Sequence, residues 1–210
     1  ASRLIFQTST VVQLIHFQFL LQDALGSERE EAQQRMATIS FVTLGGGLLC
    51  ALPSGMIADR IGLVPCAIFA IVVSSAVLLV LPLADDFALF VGAALVDGVG
   101  NQVFGVVDFA LGVATLPDLR WQARDIALFS GLSAGGGTLL ATGLSAVLLV
   151  GTANATEVAS GDDQRPPASR EAYQRTFWTV GSLLLLTVPL LCIASRYLPA
   201  RVSPALRVRR

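Results

Sequence analysis

Six stretches of this chain, at about 5–25, 37–58, 66–84, 87–117, 126–150 and 177–195, run close to membrane-spanning length with few charges. A bilayer core about 30 Å thick takes roughly 20 apolar residues per helix. Backbone groups in lipid have no water to bond, so such runs must close their own hydrogen bonds as helices. The fold class expected is therefore all-α: a polytopic membrane protein with six transmembrane helices in a single domain over 1–210, ending in a basic tail over 196–210. Composition agrees, because only 14% of the residues are charged against about 25% in soluble domains. The chain opens directly on an apolar segment without the layout of a signal peptide. It begins with Ala1 rather than Met, which suggests a natural start further upstream.

Six spans would place both termini on one face. All fourteen basic residues are arginine, and alternate-loop grouping puts Arg3, Arg60, Arg120, Arg124 and the five arginines after 195 on that face. Basic loops favour the cytoplasm, so both termini are expected there, in a plasma membrane. The segment "SEREEAQQR" and a long loop at about 151–176 would then face outward. That loop carries Asn154-Ala155-Thr156, a candidate glycosylation sequon. Cys50, Cys66 and Cys192 are isolated, which suggests neither a metal site nor a disulfide framework. No cofactor is implied, and no folded basic surface is available for nucleic acid.

The polar residues are unevenly spread. Helix 1 carries Gln7, Gln13, His16, Gln18 and Gln22, and helix 4 carries Asp97, Asn101, Gln102 and Asp108, whereas helices 3 and 6 are almost wholly apolar. This suggests a three-plus-three arrangement, with helices 1 and 4 inside and 3 and 6 against lipid, as in the repeats of transporters. At about 100° per residue, Asp97, Asn101 and Asp108 fall within a stripe of about 40°. A carboxylate at membrane depth needs water, a partner or a proton, so this stripe reads as a wet cavity, a proton site or a set of interhelical contacts. Gln7, Gln18 and Gln22 form a second stripe about 60° wide, suited to hydroxyl-rich solutes or to bonds between helices. His16 is either a packing residue or a proton relay. The spacings Gly47-Ala51-Gly55 and Gly131-Gly135-Gly143 are read as close helix contacts.

Between helices 2 and 3 stands Gly55-Met56-Ile57-Ala58-Asp59-Arg60-Ile61-Gly62. This resembles the GxxxDRxG loop of the major facilitator superfamily, although Leu63, Val64 and Pro65 replace the basic residues usual after the second glycine. The resemblance implies that Gly55 and Gly62 permit a tight turn, and that Asp59 and Arg60 latch the cytoplasmic gate. "VDFALGVATLPDLRWQARDIALFSG" is similar to the helix 4–5 segment of sugar-type members through Asp108, Ala110, Leu111, Leu116, Pro117, Arg124 and Asp125. Ile126 and Ala127 depart from that pattern, and helix 5 lacks a proline. Arg124 and Asp125 would anchor helix 5 at the same gate. By this likeness the chain corresponds to the C-terminal six of twelve helices, with the N-terminal half as a missing partner.

The function expected is secondary active transport by alternating access, a proton-coupled symporter for a small polar organic solute such as a sugar. Asp97, Asn101, Asp108, Gln7, Gln18, Gln22 and His16 are the candidates for the solute and proton pathway. The alternatives are a drug or lipid exporter of the same superfamily, or a non-transporting membrane scaffold or receptor. Enzymatic activity is not expected, because no metal-binding or nucleophile–base pair stands out in the sequence.

Overall fold

The computed structural model describes residues 2–25, 29–84, 86–115, 122–150 and 170–195, and all secondary structure within them is helical. The helices are α1 (Ser2–Leu25), α2 (Arg29–Ile61), α3 (Leu63–Val80), α4 (Phe87–Thr115), α5 (Gln122–Val150), α6 (Arg170–Leu185) and α7 (Thr187–Ser195), with a 3₁₀ turn at Leu81–Leu83. Five spans are long and apolar enough to cross a membrane: Glu30–Ile61, Leu63–Leu83, Phe87–Val113, Ala123–Val147 and Tyr173–Ile193. The protein is a multi-pass helical membrane protein.

Helix α1 is not among those five, although it is 24 residues long. Thr8, Ser9, Gln13 and His16 lower its hydropathy, and all four are buried against other helices. The last expected span is two helices rather than one. Pro189 has no N–H to donate to the Leu185 carbonyl one turn earlier, and its ring crowds that carbonyl. The helix accordingly breaks at Leu186, between Leu185 and Thr187.

Helix α2 starts well before the expected residue 37. Much of "SEREEAQQR" is helix rather than loop, because Glu30 and Glu31 occupy the first turn, where the helix dipole favours anions. An ion pair at 2.6 Å joins Glu31 to Arg35 one turn on. Gly62 makes the turn into α3 with φ at 106°, a conformation that costs other residues a steric clash. Gly55 does not contribute to this turn, since it lies inside α2.

The expected layering is overturned for α3. Of the five spans it is the most enclosed, with 44% of its apolar window buried against 17% for α2 and α5. It packs on α2, α4, α6 and α7, and an all-round apolar helix suits a central position. Helix α2 instead turns Phe41 and Leu52 outward at 80% and 82% exposure, a surface fit for lipid or another apolar helix.

Helices α2 and α4 run parallel in close contact. A Cβ on Gly98 would collide with the Thr43 backbone, and one on Gly47 would come within 3.3 Å of the Gly98 carbonyl. The small-residue pattern on α5 acts elsewhere than expected. Gly131, Gly135 and Gly143 meet nothing within 4 Å, whereas a Cβ on Gly137 would lie 2.8 Å from Gln7 Cβ of α1. Gly98→Ala should lower stability by about 1–3 kcal/mol through overpacking, while Gly105→Ala, which meets nothing within 4 Å, should not lower it. Thermal unfolding of the two variants in detergent checks this; equal melting points would contradict the α2–α4 contact.

Candidate functional site

Helix α1 fixes the register of the bundle. It runs antiparallel to α4, with Arg3 paired to Asp108 at 2.9 Å and Phe6 stacked on Phe104. Further along, Thr10 donates to Asn101 Oδ1, and Phe17 meets Phe90 edge-on. Parallel to α1 lies α5, with Arg3 donating to Ser130 and His16 bonded to Ser145. The polar side chains of α1 therefore meet their partners at three successive depths.

The middle depth holds a cleft of about 390 Å³ between α1, α2 and α4. Its polar lining comes from Thr10 and Gln13 of α1, Ser40 and Thr43 of α2, and Asp97, Asn101 and Gln102 of α4. Leu14, Phe17, Met36, Ile39 and Leu44 supply much of the remaining wall. Asp97 is 5% exposed, and one carboxylate oxygen accepts from Asn101 Nδ2 at 2.7 Å. Gln13 from α1 and Ser74 from α3 also lie against the carboxylate, although the buried Ser74 hydroxyl completes no hydrogen bond of good geometry. Among the described residues, no cation forms an ion pair with Asp97 and no basic side chain lines the cleft. A charged carboxylate at such a depth costs several kcal/mol unless water, a partner or a proton relieves it, and here the relief comes from amide and hydroxyl neighbours and from the open cleft.

Asp108 lies on the same face of α4 three turns on, yet outside the cleft lining. Its partner Arg3 is also capped by the Phe129 ring at 4.5 Å and reaches Ser130 Oγ at 3.3 Å. Asp108 and Arg3 are 16% and 18% exposed, so the pair is shielded and joins α1, α4 and α5. The α4 stripe thus divides: Asp97 and Asn101 reach the cleft, and Asp108 meets a fixed counter-ion.

Neither Gln7 nor Gln22 lines the cleft. Gln7 packs beside Gly137 of α5, Gln22 is half-buried, and the side chain of Gln18 lies outside those described. His16 is 2% exposed, with Nε2 2.7 Å from Ser145 Oγ and Tyr173 edge-on at 6.4 Å. It ties α1 to α5 and α6 rather than lining the cleft. A hydroxyl–imidazole contact therefore exists that the sequence did not reveal.

At the α2–α3 turn, Asp59 and Arg60 are exposed and have no ion-pair partner among the described residues. Arg124 and Asp125 pair with each other at 3.0 Å in the first turn of α5. Asn154, residues 116–121 and the tail after 195 lie outside the described residues. Among the described residues, no group of three His, Cys, Asp or Glu could hold a metal ion.

Sequence reasoning missed Thr10, Gln13, Ser40 and Thr43 as cleft residues. The three-residue spacing of Thr10 and Gln13 put them on one helix face, a usable signal. Ser40 and Thr43 offered the same spacing on a helix otherwise read only for its glycines.

Removing one partner of a partly buried pair leaves the other charge without its counter-ion. Asp108→Asn should lower stability by about 1–3 kcal/mol, and adding Arg3→Met should restore most of that loss. Unfolding of the single and double variants in detergent checks this; equal losses would show that the pair is not coupled.

The chain matches no protein-family model, no curated protein and no solved structure.

Proposed function

We propose that this chain is part of a proton-coupled secondary transporter for a small polar organic solute, working by alternating access about the α1–α2–α4 cleft. The observation that carries the reading is Asp97: a nearly buried carboxylate on a cleft wall without a counter-ion among the described residues. Binding a proton removes the cost of its charge. The preferred state of the cleft then depends on whether that proton is present.

The likeness to the major facilitator superfamily gives this cleft its wider setting. On that reading, a second six-helix half walls the open side of the cleft, both termini are cytoplasmic, and Asp59–Arg60 grips the other half. Arg3–Asp108 then belongs to the cytoplasmic end of the bundle rather than to the solute site. A sugar is less well supported than a generic polar solute, because Gln7 and Gln22 lie away from the cleft. The apolar stretch of wall formed by Leu14, Phe17, Met36 and Leu44 favours a second reading, an exporter of amphiphilic compounds.

Asp97→Asn mimics a permanently protonated carboxylate. In proteoliposomes of the full transporter, solute accumulation driven by a pH gradient should fall at least tenfold in this variant. Unchanged gradient-driven accumulation would remove Asp97 from the coupling.

A further inference from the structure

We infer that the ligand of the α1–α2–α4 cleft is a small organic cation, a protonated amine on an apolar body, whose charge takes the place of the proton at Asp97. This inference rests on the transport reading for its context and names the chemical class of the solute. The first ground is charge. Among the described residues Asp97 is the only ionisable group that lines the cleft, and the side chains against its carboxylate are amides and a hydroxyl: Gln13 from α1, Ser74 from α3 and Asn101 from its own helix. On this wall an anionic solute would meet an acid and, among the described residues, no base. A neutral solute would leave the carboxylate dependent on its proton, whereas an ammonium group would itself neutralise the site.

The second ground is shape and chemistry. The cleft that this chain provides, about 390 Å³, already falls within the range of ligand pockets, about 300 to 1,000 Å³, before a second half adds to its open side. Beside the polar edge at Asp97 and Asn101 stand Leu14, Met36 and Leu44, with the aromatic ring of Phe17. These would cover the body of an amphiphile, and an aromatic face favours a nearby cation. The oxygens of Asp97, Asn101, Gln13 and Gln102 could also ligate a bare metal cation, but Leu14, Phe17, Met36 and Leu44 would then have nothing to cover.

A consequence follows from the single carboxylate. One acid holds one positive charge, so amine and proton compete for it, and each amine that enters displaces a proton. Coupling would be exchange of the two rather than joint movement.

The test uses three probes of matched shape on the full chain in lipid nanodiscs: phenethylamine, 2-phenylethanol and 3-phenylpropionate. The amine is protonated at neutral pH, since alkyl amines titrate near 10. Phenethylamine should bind at least tenfold more tightly than the alcohol, and the acid should not bind measurably. In a weakly buffered, mildly acidic medium, amine binding should release up to one proton per site, and alcohol binding none. Asp97→Asn should reduce amine affinity to that of the alcohol and abolish proton release. Equal affinity for amine and alcohol in the unsubstituted protein, which requires no variant to fold, would overturn the inference. So would amine binding without proton release, or displacement of the proton by sodium but not by the amine. Flux separates this inference from the broader reading. Amine binding with proton release but no transport in proteoliposomes would sink the transport reading alone; Asp97-dependent transport of a neutral polyol without amine binding would sink the ligand class alone.

Discussion

A helix bearing Thr8, Ser9, Thr10, Gln13 and His16 can cross lipid only where the neighbouring helices meet those groups. Hydrocarbon offers no hydrogen bonds, so each polar side chain must face protein, backbone or a water-filled space. The arrangement around α1 follows from this demand. Thr8 and Ser9 bond back to carbonyls of their own helix, Thr10 reaches α4, and His16 reaches α5. With Arg3 held by Asp108 and Ser130, α1 is fixed in rotation and depth against two helices at once. The apolar helices then fill in around it, and α3 is the most enclosed of the five apolar spans.

The two carboxylates of α4 show how the same residue type can serve opposite ends. They lie on one face, and both look toward α1. At one level α1 presents an arginine, and the result is a shielded ion pair whose main effect is to hold three helices in place. At the other level α1 presents an amide and α3 a hydroxyl, which can solvate a charge but do not cancel it. The difference is made by α1, so the chemical character of the cleft is determined on a helix that hydropathy alone does not mark as a span.

Five of the expected stretches were legible as spans because length and the scarcity of charge suffice to mark them, and the α4 stripe was legible because helical periodicity places Asp97, Asn101 and Asp108 together. Which of those residues would meet a counter-ion was not legible. That depends on the register between α1 and α4, and nothing local to either helix records it. The lipid-facing role expected for α3 failed for a related reason: an all-apolar helix is equally suited to lipid and to the centre of a bundle, and only the packing of its neighbours decides. The glycines of α5 were misassigned by spacing, since Gly131, Gly135 and Gly143 share an open face while Gly137, off that pattern, touches α1. Pro189 was present in the sequence as a helix breaker, but the apolar run around it masked the break.

The parallel pairing of helices divides the bundle mechanically. Helices α2 and α4 touch backbone to backbone through Gly47 and Gly98, and α1 and α5 are joined by Gly137 and by polar bonds at both ends. Each pair is closely packed, and the cleft lies along the seam between them. Among the described residues, polar bonds across this seam come from the α4 stripe: Arg3 to Asp108 and Thr10 to Asn101, with Gln13 set against Asp97. A change of charge on that stripe therefore bears on the contacts that join the two pairs as well as on the contents of the cleft, because both rest on the same few atoms.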